Sequence, residues 1–321
     1  MNGKPATDLR SKRICVTGGA GFLGSFLVQA LRAAGCEHVF VVRHEDYDLT
    51  TESAVRKLFE DARPEILFHL AAVVGGIGAN RENPGRFFYA NAIMGIQLLE
   101  YARRFDVEKT IVVGTVCSYP NIVPIPFREE NLWDGYPEVT NAPYGIAKKM
   151  LLVQSQAYRE QYGTNSIYLL PGNIYGPLDN FDQASSHVIP AMIRNMLEAA
   201  SSRKNNVVCW GDGSPTREFL YVKDAADGII KAAQHYNSGE PVNLGSGEET
   251  SIRNLAETIA KMCGYDGEIL WDTSKPNGQP RRKLDTTRAE KHFGFQAKTP
   301  LRIGLSETIE WYKNQLPAIS A

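Results

Sequence analysis

Tyr144 and Lys148 stand four residues apart in NAPYGIAKK, a spacing that puts a phenol and an ammonium on one face of a helix. A lysine beside a phenol favours the phenolate and can also hold a ribose, so this pair offers proton transfer near neutral pH. The second group is a thiol. Cys117 lies in GTVCSYP, directly after the apolar run KTIVVG, at a strand end where α/β sheets gather reactive groups. A free cysteine is as readily a small buried apolar residue, and from the residues alone both readings stand. The third feature is TGGAGFLG. Gly18 permits a tight turn, Gly21 lets the backbone approach a pyrophosphate, and Gly24 lets a helix pack on the preceding strand, with Phe22 and Leu23 inside the same loop.

Elements of the right kind surround these groups. From residue 13 to about 175, short β-branched runs (RICVTG, HVFVVR, EILFHLAA, KTIVVG, SIYLLPG) alternate with segments of helical period. This pattern implies an α/β fold, a Rossmann-type doubly wound parallel sheet. The later chain is looser and implies a smaller C-terminal α/β substrate lobe. The expected division is a dinucleotide domain over 8–175, with the chain returning to it at about 219–247. Residues 176–218 and 248–321 then form the second lobe. At the end of the second strand stands Arg43 rather than an acid, which suits a ribose 2′-phosphate and favours NADP(H). Glu45, Asp46 and Asp48 follow closely and offer a ribose contact instead.

Taken together, the glycine loop, HLAA (69–72), Tyr-x-x-x-Lys and GNIYGP (172–177) resemble the extended short-chain dehydrogenase/reductase superfamily. The chain is similar along nearly its whole length to one branch, the GDP-L-fucose synthase family. The resemblance is carried by AAVVGGIGAN, GTVCSYP, EVTNAPYGIAKK, YGPLDNFDQASSHVIPAMIR, VVCWGDGSPTREFLYV and KPNGQPRRKLD. It implies that Tyr144 and Lys148 are the reductase pair, with Thr115 completing the site where a serine is commoner. It also implies that Cys117 and His187 are an epimerising acid–base pair. The dinucleotide is then lined by Leu49, Ala71, Ala72, Asn91, Pro171, Asn173, Ile174 and His187, besides the glycine loop and Lys148. A GDP-sugar is met by Arg194, Trp210, Arg217, Asn277 and Arg281, although Asn195 stands where a second cation after Arg194 is expected. Relatives of this kind pair as homodimers through a four-helix bundle. The same site on another 4-keto sugar nucleotide, and a non-catalytic NADP-sensing protein, are the rival readings.

Bulk properties exclude other classes. The chain has 321 residues with 35 Lys+Arg against 36 Asp+Glu, so no global field favours nucleic acid or an anionic membrane. Five cysteines, odd in number and without metal-ligand spacing, argue against a disulfide framework or a zinc site, and no metal is expected. No apolar run approaches a membrane span, and the N-terminal stretch lacks a signal peptide's apolar region, so a cytoplasmic location is expected.

Overall fold

The computed structural model describes residues 6–275 and 277–316; the start of the stretch read for a leader and the last five residues of the expected second lobe lie outside it. The strands are β1 (Arg13–Thr17), β2 (His38–Val41), β3 (Ile66–His69), β4 (Lys109–Val113), β5 (Ser166–Pro171), β6 (Asn173–Tyr175), β7 (Asn206–Trp210), β8 (Thr216–Tyr221), β9 (Val242–Leu244), β10 (Glu249–Ser251), β11 (Glu268–Asp272) and β12 (Arg281–Arg282). The helices are α1 (Phe22–Ala33), α2 (Glu52–Ala62), α3 (Ile77–Glu82), α4 (Pro84–Arg104), α5 (Ala142–Tyr162), α6 (Val188–Ser201), α7 (Val222–His235), α8 (Ile252–Cys263), α9 (Thr287–Phe293) and α10 (Leu301–Gln315).

β4 and β5 are buried at every position, as strands covered on both faces must be, which is why their sequences run apolar rather than alternating. The main sheet has six strands in the order β2-β1-β3-β4-β5-β9, and every pairing in it is parallel. Helices lie on both faces. Leu27 and Leu31 of α1 and Ile229 of α7 fill one side, while Phe59, Leu98 and Leu151 belong to clusters on the other. After β1 the chain steps to β2 on one side and then to β3 on the other, so the strand order reverses between β1 and β3. Ligands of open parallel sheets bind at that reversal, beyond the carboxyl ends of the strands.

A second body is built around β8, which pairs with β6 and β12 in parallel and with β10 antiparallel; β7 and β11 form a separate parallel pair. Its core holds Tyr175, Ile193, Leu255 and Ile259. β9 extends the main sheet, and Ala225 and Ile229 of α7 pack in the first core. Ala289, Phe293 and Phe295, which fall within the 248–321 stretch expected in the second lobe, pack in the first core, because α9 supplies the apolar cover for α7 and the edge strand β9.

Candidate active site

The glycine loop occupies the sheet's reversal point. Gly18 has φ +69°, and a Cβ there would come within 2.9 Å of the Ala71 nitrogen, so the loops after β1 and β3 touch through glycine alone. A Cβ on Gly24 would overlap the Gly18 carbonyl, so no larger residue lets α1 start so close to β1. Gly21 is the N-cap of α1 and supplies no side-chain cap, which leaves the helix's first N–H groups and its dipole facing the crevice. These residues fit a dinucleotide diphosphate. Phe22 and Leu23 are half-buried, Phe22 against the second core and Leu23 against both. Leu49 is buried, while Arg43 is exposed just past β2, with Glu45 its one ion-pair partner among the described residues, loosely at 3.8 Å. Ala71 and Ala72 form the opposite lip.

Asn91 plays another part. Its amide is spent on the backbone, accepting from Val73 N at 3.1 Å and donating to Val73 O and Phe87 O at 2.9 and 2.7 Å, so it shapes that lip and offers the crevice no free donor. Beneath lies His69, fully buried, with Nδ1 3.0 Å from Thr17 Oγ1 and Nε2 unpartnered. Burial and then the neighbouring Lys148 charge hold it well below the usual imidazole value. Pro171 closes β5, Ile174 is half-buried, and Asn173 donates to Glu218 O at 2.9 Å.

The catalytic candidates come from β4 and α5. Just past β4, Thr115 caps a short 3₁₀ turn, Val116–Ser118, and its Oγ1 accepts from Cys117 N at 3.2 Å. That bond uses an oxygen lone pair, so the hydroxyl proton remains to be donated elsewhere. α5 starts where the Glu138 carboxylate accepts from Thr140 N and Asn141 N at 3.1 and 3.3 Å, with Pro143 in its first turn. One face of this helix then carries Tyr144 and Lys148 inward, both buried. Tyr168 fixes the register by donating to Lys148 O at 2.8 Å. Burial pushes the Lys148 ammonium down to about 8.

The Tyr144 phenol behaves differently from the sequence expectation. Burial raises it strongly and Cys117 adds to the rise; the Thr115 hydroxyl beside it is the group that works the other way, not Lys148. The phenol is thus held protonated, ready to donate. Cys117 is half-exposed, and its Sγ accepts from Arg282 Nη1 at 3.7 Å.

His187 is the N-cap residue of α6, but its side chain caps nothing. It is exposed by surface area, yet protein rings it closely enough to lower its imidazole below the usual value, which describes a side chain on the wall of a cleft. The loop after β3 sets its position: Gly76 N donates to Ser185 O at 3.0 Å, and a Cβ at Gly76 would press to 2.7 Å from Ser186 O.

Cations expected to meet the substrate divide into two sets. Arg217 is half-buried near Arg282 and Cys117, and burial followed by the Arg282 charge pushes it down to about 10. Trp210 is 58% exposed, with Lys275 over its ring at 5.6 Å. Asn277 reaches back to accept from Asp212 N at 3.0 Å. Arg194 is buried, donating to Phe181 O at 2.8 Å and to Asn195 Oδ1, so it pins the loop ahead of His187. Arg281 is tied to Glu249 at 2.6 Å on the other face of β12 from Arg282.

A family model described as the NAD dependent epimerase/dehydratase family matches residues 14–245. The GDP-L-fucose synthase of Sinorhizobium fredii is 42% identical over 306 residues, covering 95% of this chain and 97% of that one. The chain belongs to the NAD dependent epimerase/dehydratase family, within its GDP-L-fucose synthase branch. A GDP-L-fucose synthetase from Naegleria fowleri solved with NADP bound superposes with TM-score 0.88 at 30% identity, covering 97% of each chain. A GDP-6-OMe-4-keto-L-xylo-heptose reductase from Campylobacter jejuni superposes at 0.90 with 27% identity, over 97% of this chain and 100% of that one.

As an epimerase/reductase of this branch, the chain brings Thr115, Cys117 and Tyr144 together, with Lys148 one turn further along α5. From the sequence, Arg282 is one of three cations in GQPRRK offered for a diphosphate, and nothing there points to the thiol. The distinction lies in strand alternation, since consecutive residues of β12 point to opposite faces and only one of Arg281 and Arg282 can reach the thiol.

Proposed function

We propose that this protein converts GDP-4-keto-6-deoxy-D-mannose to GDP-L-fucose, epimerising C3 and C5 and then reducing C4 with NADPH. The observation that carries the reading is the Thr115 hydroxyl, held by the Cys117 amide and adjoining the Tyr144 phenol. A 4-keto sugar has acidified protons on C3 and C5, and loss of either leaves an enolate with its charge on the C4 oxygen. Donors from Tyr144 and Thr115 serve that oxygen in both epimerisations and in the reduction.

The Cys117 thiolate takes the C–H proton on one face, the electron pair moves to the C4 oxygen, and His187 returns a proton to the same carbon from the opposite face. Burial alone favours neutral His187, whereas the anionic diphosphate and enolate favour the charged form that donates. When bound, NADPH supplies the hydride for C4. Tyr144, kept protonated by its burial, gives its proton to the C4 oxygen. Lys148 holds the nicotinamide ribose, the N-terminus of α1 holds the diphosphate, and Arg43 takes the 2′-phosphate. Arg217 meets the sugar nucleotide's diphosphate, and Trp210 offers a flat face to its base.

We place the protein in the cytoplasm as a homodimer, with α4 and α5 forming the pairing face; Tyr89 on α4 and Val153 on α5 are exposed there. Among the described residues no helix is long and apolar enough to cross a membrane.

Purified protein incubated with GDP-4-keto-6-deoxymannose and NADPH, with products identified by NMR, tests the assignment. GDP-L-fucose is the expected product, and a mixture left unchanged refutes the named substrate. Asn195, its amide oxygen taken by Arg194 at 3.0 Å, favours a second panel of 4-keto GDP-sugars, heptoses and a colitose precursor, because the cation expected there is missing.

A further inference from the structure

Arg282 is placed by more than its strand. It is 9% exposed, and its Nε donates to Gln279 Oε1 at 2.8 Å. Gln279, itself 7% exposed, donates in turn to Asn121 O at 2.8 Å and to Pro120 O at 3.3 Å, just beyond the turn that carries the thiol. On the other side of Arg282, Phe127 N donates to Lys283 O at 2.7 Å. The segment 279–283 is therefore stitched at both ends to the chain that follows Cys117, and the guanidinium between those stitches meets the sulfur at 3.7 Å. The charged and titratable groups facing the thiol are Arg282 from β12, Arg217 from β8 and Tyr144 from α5. Glu249, the acid within reach of Arg217, is paired with Arg281. No carboxylate among these partners offsets the two guanidinium charges at the sulfur.

We propose that Arg282, aimed by Gln279, is the positioning residue that orients Cys117 Sγ and stabilises its thiolate, the form able to take a proton from a substrate carbon. A guanidinium donor to sulfur is a charge-assisted hydrogen bond that exists at full strength only when the sulfur is ionised, and such a bond favours the reactive form. The second tether matters because an arginine free to rotate would spend its donors on water. This assignment rests on Cys117 being the epimerising base, but its test needs no substrate.

Cys117 is the half-exposed thiol, whereas Cys15, Cys36, Cys209 and Cys263 are buried, so iodoacetamide labelling followed by peptide mass mapping reports on Cys117. The rate is measured from pH 6 to 10 for wild type, Arg282→Gln, Arg282→Lys and Gln279→Leu. Arg282→Gln is expected to label roughly tenfold more slowly at pH 7 and to converge with wild type at the alkaline end. Arg282→Lys recovers most of the loss, and Gln279→Leu falls between. Identical pH–rate curves for wild type and Arg282→Gln overturn the proposal. So does slowing by the same factor at every pH, the mark of a displaced loop. If the labelling result holds while Cys117→Ser still epimerises, Arg282 tunes the thiol and the assignment of the base fails instead.

Discussion

Gly145 lies directly against the Cys117 carbonyl, so the helix that carries the phenol and the turn that carries the thiol meet backbone to backbone. A Cβ at Gly145 would overlap that oxygen, and Ser118 Oγ ties the same two elements by donating to Gly145 O at 3.0 Å. The separation of Cys117 from Tyr144 is thus set by a glycine next to the tyrosine. Gly145→Ala forces the elements apart and is expected to cost about 1–3 kcal/mol of stability, as overpacking does, measured by urea unfolding. C4 reduction and C3/C5 exchange should fall together in this variant, since both need the shared oxygen cradle. Loss of one with the other intact would show that the two elements move independently.

Arg43 is exposed and loosely paired, which leaves its guanidinium free for a phosphate. Arg43→Glu removes a charge-assisted partner of the 2′-phosphate and adds repulsion. The expected outcome is a rise of roughly tenfold or more in KM for NADPH with little change for NADH. Equal effects on both cofactors in steady-state kinetics would transfer the role to another residue.

Asp179 sits in the loop that leads to His187, buried, with Oδ2 unpartnered and Oδ1 accepting from Asn180 N at 2.7 Å. Burial raises its carboxyl from 3.8 to about 7. Between those values the folded state holds a proton that the unfolded state has lost, so stability falls as pH rises through the window. Asp179→Asn keeps the acceptor and removes the charge. It is expected to stabilise the protein by about 1–3 kcal/mol at pH 8, with the gain shrinking on acidification and gone below pH 4. Chemical denaturation at pH 4, 6 and 8 checks this, and a gain independent of pH would show that the carboxyl is not the source.

Much of the fold was legible because its signals are local. The glycine loop, the buried strands and the Tyr144–Lys148 spacing each follow from neighbours in sequence, and β1, α1, β4 and α5 appear where those patterns put them. Contacts that join distant segments were not legible. Neither the bond from the Asn91 amide to Val73 nor that from Arg194 to Phe181 O can be read from the stretches that hold those residues. The tether from Gln279 to Asn121 spans 158 residues, and nothing in either stretch announces it. The phenol's burial is not legible for a related reason, since it depends on packing that spacing does not express.

In the proposed mechanism one oxygen cradle, Tyr144 with Thr115, serves two chemistries while Cys117 serves only one. Cys117→Ser, supplied with GDP-4-keto-6-deoxymannose and NADPH in deuterated water, separates them: absorbance at 340 nm follows reduction, and NMR of the product reports deuterium at C3 and C5. The variant is expected to oxidise NADPH and to yield a 4-reduced sugar that is neither epimerised nor deuterated at those carbons. GDP-L-fucose carrying deuterium at both positions would contradict that mechanism.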